Sequence, residues 1–177
     1  MHTKNACIHG VFMSVLDVGT LITGESGIGK SDLALSLVDR GHLFIADDMV
    51  RFSSSEGGPL FGSAPPLLKN FLNVRSLGVL DIARLFGPQA VLEKKELSFV
   101  ITLEKSVGPP SHDISFHLRP WSLLGVTVPS FSLQLSEGRP HEILLETCIR
   151  NYTHLQKGYD SNASFLANHH HTMSTTE

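Results

Sequence analysis

Eight consecutive residues constrain this chain more than any others: Gly24-Glu25-Ser26-Gly27-Ile28-Gly29-Lys30-Ser31. They fit the pattern G-x-x-x-x-G-K-[ST] at every fixed position, and the spacing has a physical cause. Glycines let the backbone curl until successive N–H groups point inward, which makes a nest for phosphate oxygens. A helix that begins at the lysine adds the positive end of its dipole. Lys30 is then expected to reach the outer phosphates of a nucleotide, and the Ser31 hydroxyl to ligate a magnesium ion. A chance match in a glycine-rich turn would lack a strand before the loop and a helix after it. By itself the motif specifies a nucleotide or polyphosphate, without a reaction.

The flanking sequence supplies the required context. The apolar runs Val11–Leu16 and Thr20–Thr23 read as strands. From Lys30 to Arg40 the pattern turns helical, because Leu33 with Leu37 and Ala34 with Val38 are i, i+4 pairs on one face. Gly41 sits where a C-cap glycine belongs. Leu43-Phe44-Ile45-Ala46 reads as the next strand. The order strand, loop, helix, strand predicts an α/β fold of the nucleotide-binding kind, with its site at the strand ends.

Further on, Ser53–Pro59 reads as a hairpin tip, and Ala64-Pro65-Pro66 as the start of a short helix over Leu67–Leu72. Strands are expected at Val91–Leu92, Leu97–Leu103 and Val126–Leu135. Gly108-Pro109-Pro110-Ser111 is a breaker. A helix carries Leu144, Leu145, Cys148, Ile149, Tyr152 and Leu155 and stops at Gly158. A second helical stretch covers Ser161–Asn168. One domain over residues 1–168 is expected, followed by a polar, frayed tail over 169–177.

At 177 residues and 41% hydrophobic composition, the chain is long enough to bury one sizeable core. A net charge of -3 leaves no electrostatic footprint for nucleic acid, so an anionic ligand must be held by a local device. No apolar run reaches the ~20 residues that cross a bilayer. The polar start, Met1-His2-Thr3-Lys4-Asn5, fits no signal peptide. The two cysteines, Cys7 and Cys148, fit no metal or disulfide spacing, and read as reduced thiols in a cytoplasmic protein.

The strand Leu43–Ala46 runs straight into Asp47-Asp48. A carboxylate beside the loop can hold magnesium or accept the proton of an attacking hydroxyl. Neighbouring residues on a strand face opposite ways, so only one of the two can point into the site unless the strand has already ended.

These residues, taken together, resemble the catalytic domain of HPr kinase/phosphorylase. The similarity runs through His9-Gly10-Val11, the loop Gly24–Ser31, Asp39-Arg40-Gly41-His42 and Ile45-Ala46-Asp47-Asp48. It continues in Phe71-Leu72-Asn73-Val74-Arg75-Ser76-Leu77-Gly78-Val79-Leu80-Asp81, in Gly138-Arg139, and in the helix that ends at Gly158-Tyr159-Asp160. It covers about His9 to Phe165. The resemblance implies a P-loop α/β domain related to phosphoenolpyruvate carboxykinase, with C-terminal helices. It implies transfer of a phosphoryl group from ATP, or pyrophosphate, to a serine of the phosphocarrier protein HPr. Reversal by inorganic phosphate, which releases pyrophosphate, and assembly as a hexamer are implied too. By the same resemblance Asp48 is the proton acceptor, Asp47 assists it, and His9 lies near both. Ser31, Asp48 and Asn73 are the implied metal ligands, and Arg119 is the candidate for a catalytic arginine.

The pattern is broken in places. Asn73 stands where the family carries a metal-binding glutamate, Ser76 where it carries glycine, and Glu137-Gly138-Arg139-Pro140 where it carries Pro-Gly-Arg-Asn. Only eight residues precede His9. The family's usual N-terminal domain is therefore expected to be missing, in a short form or in a truncated piece. Two other readings stay open: a P-loop kinase of a small molecule, and a nucleotide-sensing regulatory protein that has lost part of its catalysis.

Overall fold

A computed structural model describes residues 3–106, 116–136 and 138–174, with side chains described as far as residue 169. The expected breaker at 108–111 and residue 137 of the altered C-terminal pattern lie outside the described residues. In chain order the first elements are β1 (Lys4–His9), β2 (Val11–Val15), β3 (Val18–Gly24), α1 (Lys30–Asp39), β4 (Leu43–Ala46), β5 (Met49–Ser54) and β6 (Phe61–Ser63). There follow β7 (Phe71–Val74), β8 (Gly78–Asp81), α2 (Ile82–Phe86), β9 (Lys94–Glu96), β10 (Phe99–Lys105) and β11 (Arg119–Leu123). The chain closes with β12 (Val126–Leu135), α3 (His141–Gln156) and α4 (Ser161–Ser174).

Six strands form the central sheet, in the order β11-β12-β10-β3-β2-β4. β10 runs parallel to both β3 and β12, while β2 is antiparallel to β3 and to β4. An antiparallel sheet, β1-β5-β6-β9, covers one face, and α1 and α3 cover the other. The alternation along β2 explains the three layers. Val11, Met13 and Val15 pack toward Leu33, Ala34 and Leu37 of α1 and Leu145 and Ile149 of α3. Phe12, between them, packs toward Val50 and Phe52 in the second sheet and Leu60 just before β6. Its ring meets that of Phe52 edge to face at 5.4 Å.

Four sequence expectations change. Leu67–Leu72 is not one helix: Pro66–Leu68 form a single 3-10 turn, and Phe71 and Leu72 already belong to β7. Asn70, with φ of 69°, turns the chain from one to the other. Val91 makes only an isolated bridge, to Phe44, and the strand expected from Leu97 begins at Phe99. The last helix runs on to Ser174, past Asn168.

Candidate active site

β3 delivers the loop to the carboxyl end of the central sheet, and α1 leads away from it. Gly27 and Gly29 hold φ of 79° and 103°, a region open to glycine and strained for other residues. Gly29 is the N-cap of α1 and offers no side-chain bond, so the first-turn amides keep their donors for a ligand. Lys30 is 8% exposed, and its Nζ donates to the carbonyl oxygens of Gly24 at 3.0 Å and Glu25 at 2.9 Å. The ammonium thus rests on the rim of its own loop.

β4 ends at Ala46, so the facing rule for neighbouring strand residues no longer governs the two aspartates. They enter the site in different ways. Asp47 is buried, and its carboxylate accepts from the Ser31 hydroxyl at 3.2 Å and from the Asn73 backbone N–H at 2.9 Å. Burial pushes its carboxyl above the ordinary aspartate value, and the nearby charge of Asp48 works the same way. The two hydrogen bonds pull against that rise. Asp48 is exposed and left-handed, with φ of 60°. Aspartate tolerates that conformation better than most residues. Its carbonyl oxygen accepts from His9 Nδ1 at 2.8 Å and from the Gly10 N–H at 3.3 Å. His9, at the end of β1, therefore carries its ring proton on Nδ1 and pins the backbone of Asp48.

A cavity of about 430 Å³ opens between these groups, lined by His9, Lys30, Ser31, Asp48, Asn73 and Arg75 together with the loop backbone. The residues suit a magnesium ion. The Ser31 hydroxyl and the buried Asp47 carboxylate lie in contact, and Asp32, Asp48 and Asn73 line the cavity beside Ser31. Among the described residues no three His, Cys, Asp or Glu side chains converge to cage a metal alone. That is how magnesium is usually held, by one or two carboxylates plus phosphate and water. The carboxylate that meets Ser31 is Asp47, whereas the expected ligand Asp48 lies beside it on the cavity wall.

Arg119 is not brought to this place. It opens β11 and pairs with Ser130, which is level with Val100 and Leu21, three residues short of Gly24. Three strand spacings separate β11 from β3, about 14 Å across the sheet. Pairing in the sheet fixes the backbone of Arg119 at that distance, and Arg119 is not among the described residues that line the cavity. The arginine in the cavity is Arg75, at the tip of the β7–β8 hairpin, which sequence reading noted only as one residue of a matching segment.

A strand, a glycine-rich loop and a helix, with two aspartates following β4, the next strand in sequence, define an α/β domain of the P-loop kind. Comparison narrows the class. Residues 2–169 match the family model described as the HPr Serine kinase C-terminal domain, and the chain belongs to that family. It is 42% identical over 165 residues to HPr kinase/phosphorylase of Bordetella petrii, covering 90% of this chain and 52% of the relative. The Neisseria meningitidis HPr kinase/phosphorylase is 39% identical over 172 residues, covering 96% and 54%. The chain thus spans about half the length of these curated relatives. The solved Hpr(Ser) kinase/phosphatase from Coxiella burnetii superposes with a TM-score of 0.80 at 34% identity, covering 90% of this chain and 98% of that one. Among the described residues no helix is long and apolar enough to cross a membrane.

Proposed function

We propose that this chain is a protein-serine kinase/phosphorylase that moves a phosphoryl group between ATP, or pyrophosphate, and a serine of HPr or a homologous carrier. Family membership supports the class of reaction. Within the site, the observation that carries the reading is the placement of Asp48. An exposed carboxylate in a pinned left-handed turn lines the same cavity as Lys30 and Ser31.

The chemistry follows from the residues. The loop amides and Lys30 bind the phosphates once Lys30 exchanges the Gly24 and Glu25 carbonyls for phosphate oxygens. Ser31 and Asp47 would hold magnesium, with Asp48 and Asn73 lining the cavity beside Ser31. When bound, the metal neutralises charge on the phosphate oxygens. Asp48 accepts the proton of the serine hydroxyl as that oxygen attacks, and returns it to the serine oxygen when inorganic phosphate removes the group as pyrophosphate. His9 keeps Asp48 in place through its carbonyl, so the carboxylate is aimed before the substrate arrives. Asn73 contributes an oxygen without charge, so magnesium is held more weakly than a glutamate there would hold it. A cytoplasmic, hexameric assembly belongs to the same proposal and rests on the family alone.

The test is a transfer assay with magnesium, γ-labelled ATP and purified HPr. Label is expected on an HPr serine, and added phosphate is expected to remove it with release of pyrophosphate. ATP binding with no label on HPr would overturn the kinase reading and favour a nucleotide sensor.

A further inference from the structure

The cavity holds two permanent cations, Lys30 and Arg75, and they are in opposite conditions. Lys30 is buried and occupied by the carbonyls of its own loop. Arg75 is exposed, and among the described residues it makes no ion pair; the pairs present there involve Arg40, His42, Lys69, Arg84 and Lys95. Its guanidinium nevertheless has a defined position. Nη2 lies 3.2 Å from where a Cβ on Gly27 would stand, so the group rests over the middle of the phosphate loop.

Two links fix the backbone of the hairpin that carries it. The hairpin turn is closed by the Leu77 N–H on the Val74 carbonyl at 2.9 Å. The base of the hairpin is tied to the site by the Asn73 N–H on Asp47 at 2.9 Å. A side chain at position 27 would crowd the guanidinium, so that glycine serves Arg75 as well as its own φ.

We propose that Arg75 is a phosphate-binding residue, closing the loop from above on the outer phosphates of a nucleotide or pyrophosphate. This rests on the phosphotransferase reading of the site and deepens it. A planar guanidinium offers paired donors to two phosphate oxygens, which a lysine cannot match. Phosphoryl transfer also needs positive charge on the moving group, and of the loop's own side chains only Lys30 supplies it, beside the metal. The expected catalytic arginine, Arg119, is three strands away, and Arg75 stands over the loop in its stead.

The test is calorimetric titration of inorganic pyrophosphate, with magnesium, into the whole chain and three variants. Arg75→Met keeps the apolar stem over Gly27 and removes the charge. It is expected to weaken pyrophosphate roughly 10- to 100-fold with the melting temperature unchanged. Arg75→Lys is expected to fall between the two, and millimolar guanidinium to restore part of the Arg75→Met loss. Lys30→Ala is the reference for loss of the loop itself. Wild-type affinity in Arg75→Met, with Lys30→Ala weakened, would overturn the role of Arg75 and leave the polyphosphate site standing. An unrescued loss with a matching fall in melting temperature would overturn it too, making Arg75 a brace for the loop. No pyrophosphate binding by the wild type would sink the polyphosphate reading, and this role with it.

Discussion

Helix α1 ends in a polar cluster at each of its termini, and the two clusters are built on opposite principles. At the C-terminal end Arg40 donates Nε and Nη2 to the two carboxylate oxygens of Glu146 on α3, each at 2.7 Å. His42 Nε2 meets the same carboxylate at 2.8 Å, and its Nδ1 accepts from the Leu16 N–H at 3.4 Å, so the ring proton sits on Nε2. The donors shown in this cluster are spent on protein partners. At the N-terminal end Lys30 makes do with backbone carbonyls, Arg75 has no ion pair among the described residues, and the helix amides have no side-chain cap. A satisfied cluster joins elements together. A cluster of poised, under-partnered charges around a cavity is where a ligand completes the structure.

The contrast is broken first at Asp48. Asparagine fits the same left-handed turn but cannot take a proton. Asp48→Asn is expected to slow transfer to HPr by roughly 10²–10⁴-fold, with the melting temperature unchanged. Undiminished turnover would remove Asp48 from the chemistry.

Asn73→Glu sharpens it. An added charge at the open end is expected to tighten magnesium about tenfold and to raise the transfer rate at low magnesium, read from a magnesium titration of activity. An unchanged magnesium dependence would put that side chain outside the metal's reach.

At the closed end Glu146→Gln is expected to cost stability and spare the chemistry. Removing the charge leaves Arg40 and His42 without their shared partner, a loss of about 2 kcal/mol, or roughly 4–8 °C in melting temperature. Arg40, first, and then His42 hold the Glu146 carboxyl at about 2, against an ordinary value of 4.5. The contribution is therefore complete above pH 4.5 and is lost as pH falls from there toward about 2. Thermal melts of wild type and Glu146→Gln should converge over that window. Curves that stay parallel down to about pH 2 would deny the pairing its role.

The smallest effect is expected from Arg119→Ala: less than about 0.5 kcal/mol in stability, and unchanged ATP affinity by titration. A large loss of ATP affinity would mean that Arg119 reaches the loop in some other arrangement.

How much of this was legible in the sequence differs by region, for physical reasons. The core around α1 was readable because its glycines, its i, i+4 apolar pairs and its uninterrupted apolar strands are local signals. β12 shows the period of two and was found at its true limits. β11 was missed because Pro120 speaks against a strand, although the sheet edge tolerates it. The β7–β8 hairpin was hidden in part by Pro65-Pro66, which opened a single turn instead of a helix. With the hairpin hidden, nothing local could show that Arg75 returns over Gly27. Asp47 and Asp48 were legible as a pair, and their division into a buried partner of Ser31 and a pinned, exposed carboxylate came only with the folded chain.

The most direct measurement is single-turnover transfer from γ-labelled ATP to HPr by wild type, Asp48→Asn and Glu146→Gln side by side, at a temperature where all three are folded. The expected result is label on HPr from the wild type and from Glu146→Gln at similar rates, and almost none from Asp48→Asn. Equal rates in all three, or loss in Glu146→Gln with Asp48→Asn intact, would contradict the assignment of the chemistry to the open end of α1.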